Sequence, residues 1–205
     1  MLITRRTAIR SGALLATGTI AGCLGGGSSG DTVDSLPAPA IGPDDAPVTV
    51  EGFEDYACTH CGTFALEDLA TIESEYVESG DVRYEHHDFP VPVDQQWSWK
   101  VPSAARAVQD TVDDSAFLEY TRALYRNMDD YSLELIGTLA EDVGADPETV
   151  RNAAEVERYR PVVESDRSYG QDLGVNGTPM VFVNGQKAES YEFEAVSALI
   201  EDELA

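Results

Sequence analysis

From residue 48 onward the chain switches between two hydrophobic periods. Val48 to Asp55 alternates apolar and polar positions and is rich in strand formers, which predicts a strand. Phe64, Leu66, Leu69, Ile72 and Tyr76 then recur near helical spacing, so 61–78 reads as a helix, and Gly80 ends it. Residues 82–89 return to a strand pattern and stop at Pro90 and Pro92. Strand, helix and strand in this order predict a parallel β-α-β unit.

The pattern from Gln96 to about Val156 is helical throughout. Segments 98–110, 115–128, 132–143 and 147–156 read as separate helices. Ser132 before Leu133 and Pro147 at a helix start are ordinary initiation signals. A further helix is expected over 160–173. Gly174 to Pro179 then makes a turn, Met180 to Val183 a short buried strand, and Asn184-Gly185 a hairpin into 186–189. Phe193 to Leu204 closes the chain as an amphipathic helix. The whole reads as one α/β domain over 47–204, interrupted by a helical insertion at about 96–158.

The first 46 residues follow another pattern. Arg5, Arg6 and Arg10 precede an uncharged, small and apolar stretch from Ser11 to Gly22, too short to span a bilayer. Arg5-Arg6 resembles a twin-arginine export signal. Ile20-Ala21-Gly22-Cys23 resembles a lipobox, in which cleavage before the cysteine leaves it N-terminal and lipid-modified. Residues 1–22 are therefore expected to be a signal peptide and Cys23 a lipid anchor. Gly25 to Gly30, then Pro37, Pro39 and Pro43, make 23–46 an expected flexible linker. The domain would then sit on the extracellular face of the cell membrane.

Charge narrows the choice of partners. The chain has 13 Lys and Arg against 38 Asp and Glu, a net charge of −25 spread along its length. Such a surface repels nucleic acid and anionic headgroups. Acid-rich, lysine-poor composition resembles proteins of extreme halophiles, and a halophilic archaeal source is the expectation. Molar salt shrinks the Debye length to about 3 Å and screens the self-repulsion. On that reading the acids say little about substrate.

With Cys23 assigned to an anchor, Cys58 and Cys61 remain, spaced C-x-x-C. A bridge between them closes so small a loop that it constrains little of the unfolded chain. The pair therefore makes more sense as chemistry than as a staple, in a compartment where disulfides persist. Cys58 precedes a helix, whose free N–H groups and dipole favour a thiolate. It is the expected attacking sulfur, Cys61 the resolving one, and His60 a nearby donor or positive charge. A stabilised thiolate favours the reduced pair and makes the protein an oxidant toward its substrates, expected to oxidise or shuffle disulfides in exported proteins. Three alternatives stand beside this reading. One is a disulfide reductase. Another is a zinc or copper site built from Cys58, Cys61 and two of His60, His86 and His87. The last is a non-catalytic binding module. His86 and His87 themselves read as structural or surface residues facing opposite ways. Trp97 and Trp99 read as packing within the insertion.

Two motifs carry a family resemblance. C-x-x-C at a helix start after a strand, with Gly177-Thr178-Pro179 before a hairpin, resembles the thioredoxin superfamily. Phe53-x-Asp55-Tyr56-x-Cys58-x-His60-Cys61, the loop Gly174 to Gly185 and the helical block are similar to its DsbA-like branch. The resemblance covers about residues 47–204. It implies a thioredoxin-like fold with a central mixed sheet flanked by helices, and a protein-disulfide oxidoreductase that uses no cofactor and no metal. It implies a cis peptide before Pro179, with Thr178, Pro179 and Thr59 meeting an extended substrate. The partners implied are exported proteins bearing thiols or disulfides and a membrane redox partner that resets the pair. No nucleic acid is expected, membrane contact is through the anchor alone, and the protein is expected to be a monomer. Two positions depart from the family. Thr59 stands where many relatives carry Pro. Gly52 stands where many carry a buried acid, with Glu51 beside it, which leaves open whether Glu51 or another group moves protons to Cys61.

Overall fold

The computed structural model describes residues 32–205, so the export signal and Cys23 lie outside the described residues. Ala40–Ile41 is β1 and Val48–Glu54 is β2. Helix α1 occupies 59–77. It alternates α-helical turns (Thr59–Thr63, Leu69–Ile72) with π-helical ones (Phe64–Asp68, Glu73–Val77), where Leu69 N–H reaches Phe64 O and Glu78 N–H reaches Glu73 O. Val82–Asp88 is β3, parallel to β2 in a register that sets Val48 opposite Val82 and Glu54 opposite Asp88. This is the expected β-α-β unit.

Four helices follow: α2 (Trp97–Thr111), α3 (Asp114–Arg126), α4 (Leu133–Asp142) and α5 (Pro147–Glu155). The starts of α3, α4 and α5 are set by side chains that satisfy first-turn N–H groups. Asp113 accepts from Ala116, Ser132 from Leu135, and Asp146 from Thr149. Helix α6 (Arg160–Asp172) leads to β4 (Met180–Val183), β5 (Gln186–Lys187) and α7 (Phe193–Leu204). The sheet order is β1-β3-β2-β4-β5 among the described residues, with only β2 and β3 parallel. This is the expected thioredoxin-like mixed sheet with a helical insertion.

Alternation along the strands gives the sheet two different faces. Val48, Val50, Tyr84, Val181 and Val183 belong to the large core shared with α1, α7 and the insertion. Phe53, Phe89, Val175 and Phe182 form a smaller core on the opposite face. Helix α6 covers that second face closely at Gly170. A Cβ there would lie 2.8 Å from the Phe89 ring and 2.9 Å from Phe53.

One expectation is corrected here. The linker expected over 23–46 does not stay free of the domain across its described part. Val33 N–H donates to Arg158 O, His86 N–H to Pro39 O, and β1 pairs antiparallel with the outer edge of β3. The prolines that suggested a linker serve as carbonyl acceptors instead. Pro37 O receives bonds from both Arg106 and Gln109. Trp97 packs on Tyr131 within the insertion, and Trp99 joins the insertion to α6 through the Arg160 guanidinium, 4.0 Å away.

Arg106 is fully buried. Its guanidinium joins Asp88, Asp166, Gln109 and Pro37 O. Removing one partner of a buried ion pair strands the other charge, at about 3–5 kcal/mol. Arg106→Leu is therefore expected to lower unfolding free energy by about that amount, read by urea denaturation at constant salt. Gly170→Ala is expected to lower it by about 1–3 kcal/mol through overpacking against the two rings.

Candidate active site

The loop between β2 and α1 is organised by Asp55. Its carboxylate accepts from Ala57 N–H at 2.9 Å and from Val91 N–H at 2.8 Å. Its carbonyl accepts from Cys58 N–H at 2.9 Å, and its own N–H donates to Cys61 Sγ at 3.5 Å. Burial raises the Asp55 carboxyl, and the Ala57 and Val91 N–H groups oppose that. The insertion fixes the next residue. Tyr56 is stacked on Tyr125 at 5.2 Å, its hydroxyl meets Thr121 Oγ1 at 2.9 Å, and its carbonyl accepts from Tyr131. The aspartate and tyrosine of the motif thus clamp the chain just before the first cysteine.

Cys58 is the N-cap of α1 and is half-buried, whereas Cys61 is wholly buried one turn later. Both are free thiols. Helix α1 starts without a side-chain capping bond. Its first N–H groups are left to act on sulfur. The Cys58 thiol is lowered from an ordinary 9.0 to about 6. The largest cause is a hydrogen bond from the Cys61 thiol; the main-chain N–H of Cys61, Thr178 and the main-chain N–H of His60 add to it, and burial opposes them. The Cys61 thiol is raised well above 9.0, chiefly by burial, then by Cys58 and by the nearby charge of Glu54. The first sulfur is therefore the nucleophile at neutral pH, where the thiolate is its favoured form.

The loop before β4 closes the site. The Thr178–Pro179 peptide is cis, as the family resemblance implied, and Cys58 Sγ lies 3.4 Å from Thr178 O, to which it donates when protonated. Pro179, Met180 and Val181 border a shallow cavity with Lys187, Ser190 and Tyr191. Thr59 is exposed at the first turn of α1, on the rim of the same region.

His60 is a donor near Cys58 through its main chain. Its ring is exposed and Nδ1 lies 3.1 Å from the Tyr191 hydroxyl, so the residue acts on Cys58 through its main-chain N–H. The donors of the zinc or copper reading are not brought together among the described residues. His86 and His87 are adjacent on β3, so their side chains emerge on opposite faces of the sheet. Among the described residues, the one group of three side chains close enough to share an ion is Glu51, Glu85 and His87, with neither cysteine. His86 and His87 are both buried, not surface residues.

Glu51 faces away from the cysteines. It accepts from Tyr169 at 2.7 Å and lies 3.4 Å from His87 on the α6 side. The buried acid on the cysteine side is Glu54, which sequence reasoning missed. Strand alternation could have found it: 52 and 54 share a face, so a carboxylate lost at Gly52 can return two residues later. The space at position 52 is filled by Tyr84, whose hydroxyl would lie 2.6 Å from a Cβ there and which donates to Glu54 at 2.8 Å.

Comparison with known proteins agrees with this geometry. A family model described as Thioredoxin matches residues 34–202. Disulfide bond formation protein D of Bacillus subtilis is 27% identical over 188 residues, covering 85% of this chain and 82% of that protein. The crystal structure of oxidised BdbD from Bacillus subtilis matches with a TM-score of 0.75 at 27% identity, covering 85% of this chain and 98% of that one. Chlamydia trachomatis DsbA shares the fold, with a TM-score of 0.70 at 20% identity over 80% of this chain and 89% of that one. The family match takes in both cysteines and the cis-proline loop, and the chain belongs to the thioredoxin superfamily as a DsbA-like protein-disulfide oxidoreductase.

Proposed function

We propose that the enzyme works outside the cytoplasm and passes the Cys58–Cys61 disulfide to thiols of exported proteins. The observation that carries the oxidising direction is the placement of half-buried Cys58 at the uncapped N-terminus of α1 beside buried Cys61, which favours its thiolate. Each exchange that leaves Cys58 as a stable thiolate is downhill, so the disulfide form is a strong oxidant. A substrate thiolate attacks Cys58 Sγ, the Cys58–Cys61 bond breaks, and Cys61 leaves and is protonated. A second substrate thiolate then attacks the substrate sulfur of the mixed disulfide. The substrate leaves oxidised, and both cysteines are left reduced. A membrane redox partner restores the disulfide. The twin-arginine pair Arg5-Arg6 and the lipobox cysteine Cys23 support export and anchoring, and the acidic composition supports a halophilic setting. Exposed Thr59, with Thr178 and Pro179, is the surface offered to an extended substrate.

The test is the reduction potential. A value toward the strongly oxidising end, about −120 mV, is expected; one near −270 mV would assign the pair to reduction instead. Cys58→Ser is expected to abolish turnover of reduced substrate protein. Cys23→Ser is expected to move the protein from the membrane fraction to the soluble fraction; retention in the membrane would end the anchor reading.

The two redox forms should also differ in how stability follows pH. The Cys58 thiol is depressed in the folded dithiol form. Its contribution is therefore full above the unfolded value of 9.0 and is lost as pH falls through about 6. The disulfide form has no such group. The stability of the reduced protein minus that of the oxidised protein is expected to rise between about pH 6 and pH 9. Urea unfolding of both forms across that range checks the sign.

A further inference from the structure

On the sheet face turned away from the cysteines, three donor side chains stand together. Glu51 on β2 and Glu85 on β3 are register partners, and His87 follows Glu85 by two residues. Strand alternation therefore puts all three side chains on the α6 side. Each offers one ligand atom, and these atoms lie within 4.8 Å of one another. Glu51 and His87 are buried, at 9% and 6% exposure, and Glu85 is partly buried.

His87 sets this cluster apart from a patch of acids. Its ring is stacked on Phe53 at 4.8 Å and flanked by Tyr169 at 5.2 Å, which fixes its plane. Among the described residues neither ring nitrogen makes a hydrogen bond, although buried polar atoms are ordinarily satisfied. Nε2 lies 3.4 Å from Glu51 Oε1, farther than the about 2.7–3.2 Å of an N–H···O bond. That spacing suits two ligands of one ion. With bonds of about 2.1 Å, neighbouring ligands of a tetrahedral zinc stand about 3.4 Å apart. Nδ1 faces Asp166 Oδ1 at 3.8 Å. A histidine that binds a metal through one nitrogen characteristically turns the other toward a carboxylate. The two acids are steadied as well. Glu51 Oε1 accepts from the Tyr169 hydroxyl at 2.7 Å, and Glu85 Oε1 from Arg83 Nε at 2.9 Å.

We propose that Glu51, Glu85 and His87 bind one zinc ion as a structural clasp between β2 and β3. One imidazole with two carboxylates is a zinc-type donor set, whereas calcium and magnesium favour oxygen alone. The partly exposed Glu85 gives the ion a way in and leaves a fourth position to water. Its ligands come from two strands, so the ion binds the folded chain in preference to the unfolded one and stabilises it. None of these ligands is a cysteine, and the clasp is independent of the exchange reading above.

Cys23→Ser protein in its oxidised form, with Cys58 and Cys61 joined, has no free thiol to hold a metal. Calorimetric titration with zinc is expected to show one tight site per chain, and the melting temperature is expected to climb with zinc concentration. Cobalt in the same protein is expected to give visible d–d bands with no thiolate charge-transfer band. Glu51→Gln, Glu85→Gln and His87→Gln are each expected to weaken zinc binding by about a hundredfold or more. Weak uptake of several ions that none of these changes alters is the behaviour of the acidic surface and would overturn the clasp. Tighter binding of calcium than of zinc, or a thiolate band with cobalt, would overturn it too. Should the two buried positions not tolerate glutamine, Glu85→Gln decides alone: lost affinity supports the clasp and retained affinity ends it.

Discussion

Arg106 holds together parts of the chain that are far apart in sequence. Its guanidinium reaches Pro37 O in the N-terminal segment, Asp88 at the end of β3, Gln109 on its own helix and Asp166 on α6. A guanidinium at zero exposure is tolerated only because its donors meet acceptors and two of those are carboxylates. The same contacts fix where α6 crosses the sheet and where Asp88 stands. Asp88 in turn holds His86, and His86 meets Glu54, whose charge raises the Cys61 thiol. The electrostatics around the buried sulfur are thus set from the opposite side of the sheet.

The two cysteines share one helix end yet ionise at opposite extremes. Cys58 is at the cap, half-open, with main-chain N–H groups aimed toward it; Cys61 is sealed in the core near a carboxylate. Each also acts on the other. A protonated Cys61 donates to Cys58 and lowers it, and an ionised Cys58 raises Cys61. The difference is therefore self-reinforcing, and burial decides its sign by keeping the second sulfur neutral. Position along the helix alone would separate the two far less.

Much of this was legible in the alternation of residues. The period-2 stretches at 48–55 and 82–89, the helical spacing between them and the C-x-x-C at the junction determine the unit that carries the chemistry. What was not legible depends on contacts far apart in sequence. Pro37 and Pro39 read as linker because their partners, Arg106 and the main chain of His86, lie many residues downstream. The π-helical turns of α1 leave no mark, since the apolar spacing near them still suits an ordinary helix. His60 was read for its ring, but Tyr191 engages that ring from a loop 131 residues away. Glu54 is marked by the face of β2 it shares with Gly52, not by a fixed offset from Cys58.

The docking of the N-terminal segment has a further effect. By pairing at the outer rim of β3, residues 39–41 occupy main-chain groups that would otherwise invite a foreign strand. At the far rim, β5 covers Phe182 and Val183 of β4, and Ala188 N–H covers Val181. The stretch from Thr178 to Met180 lies beyond that cover, directly beside Cys58. Among the described residues both rims of the sheet are thus covered except along this stretch, which is where the proposed function places an extended substrate.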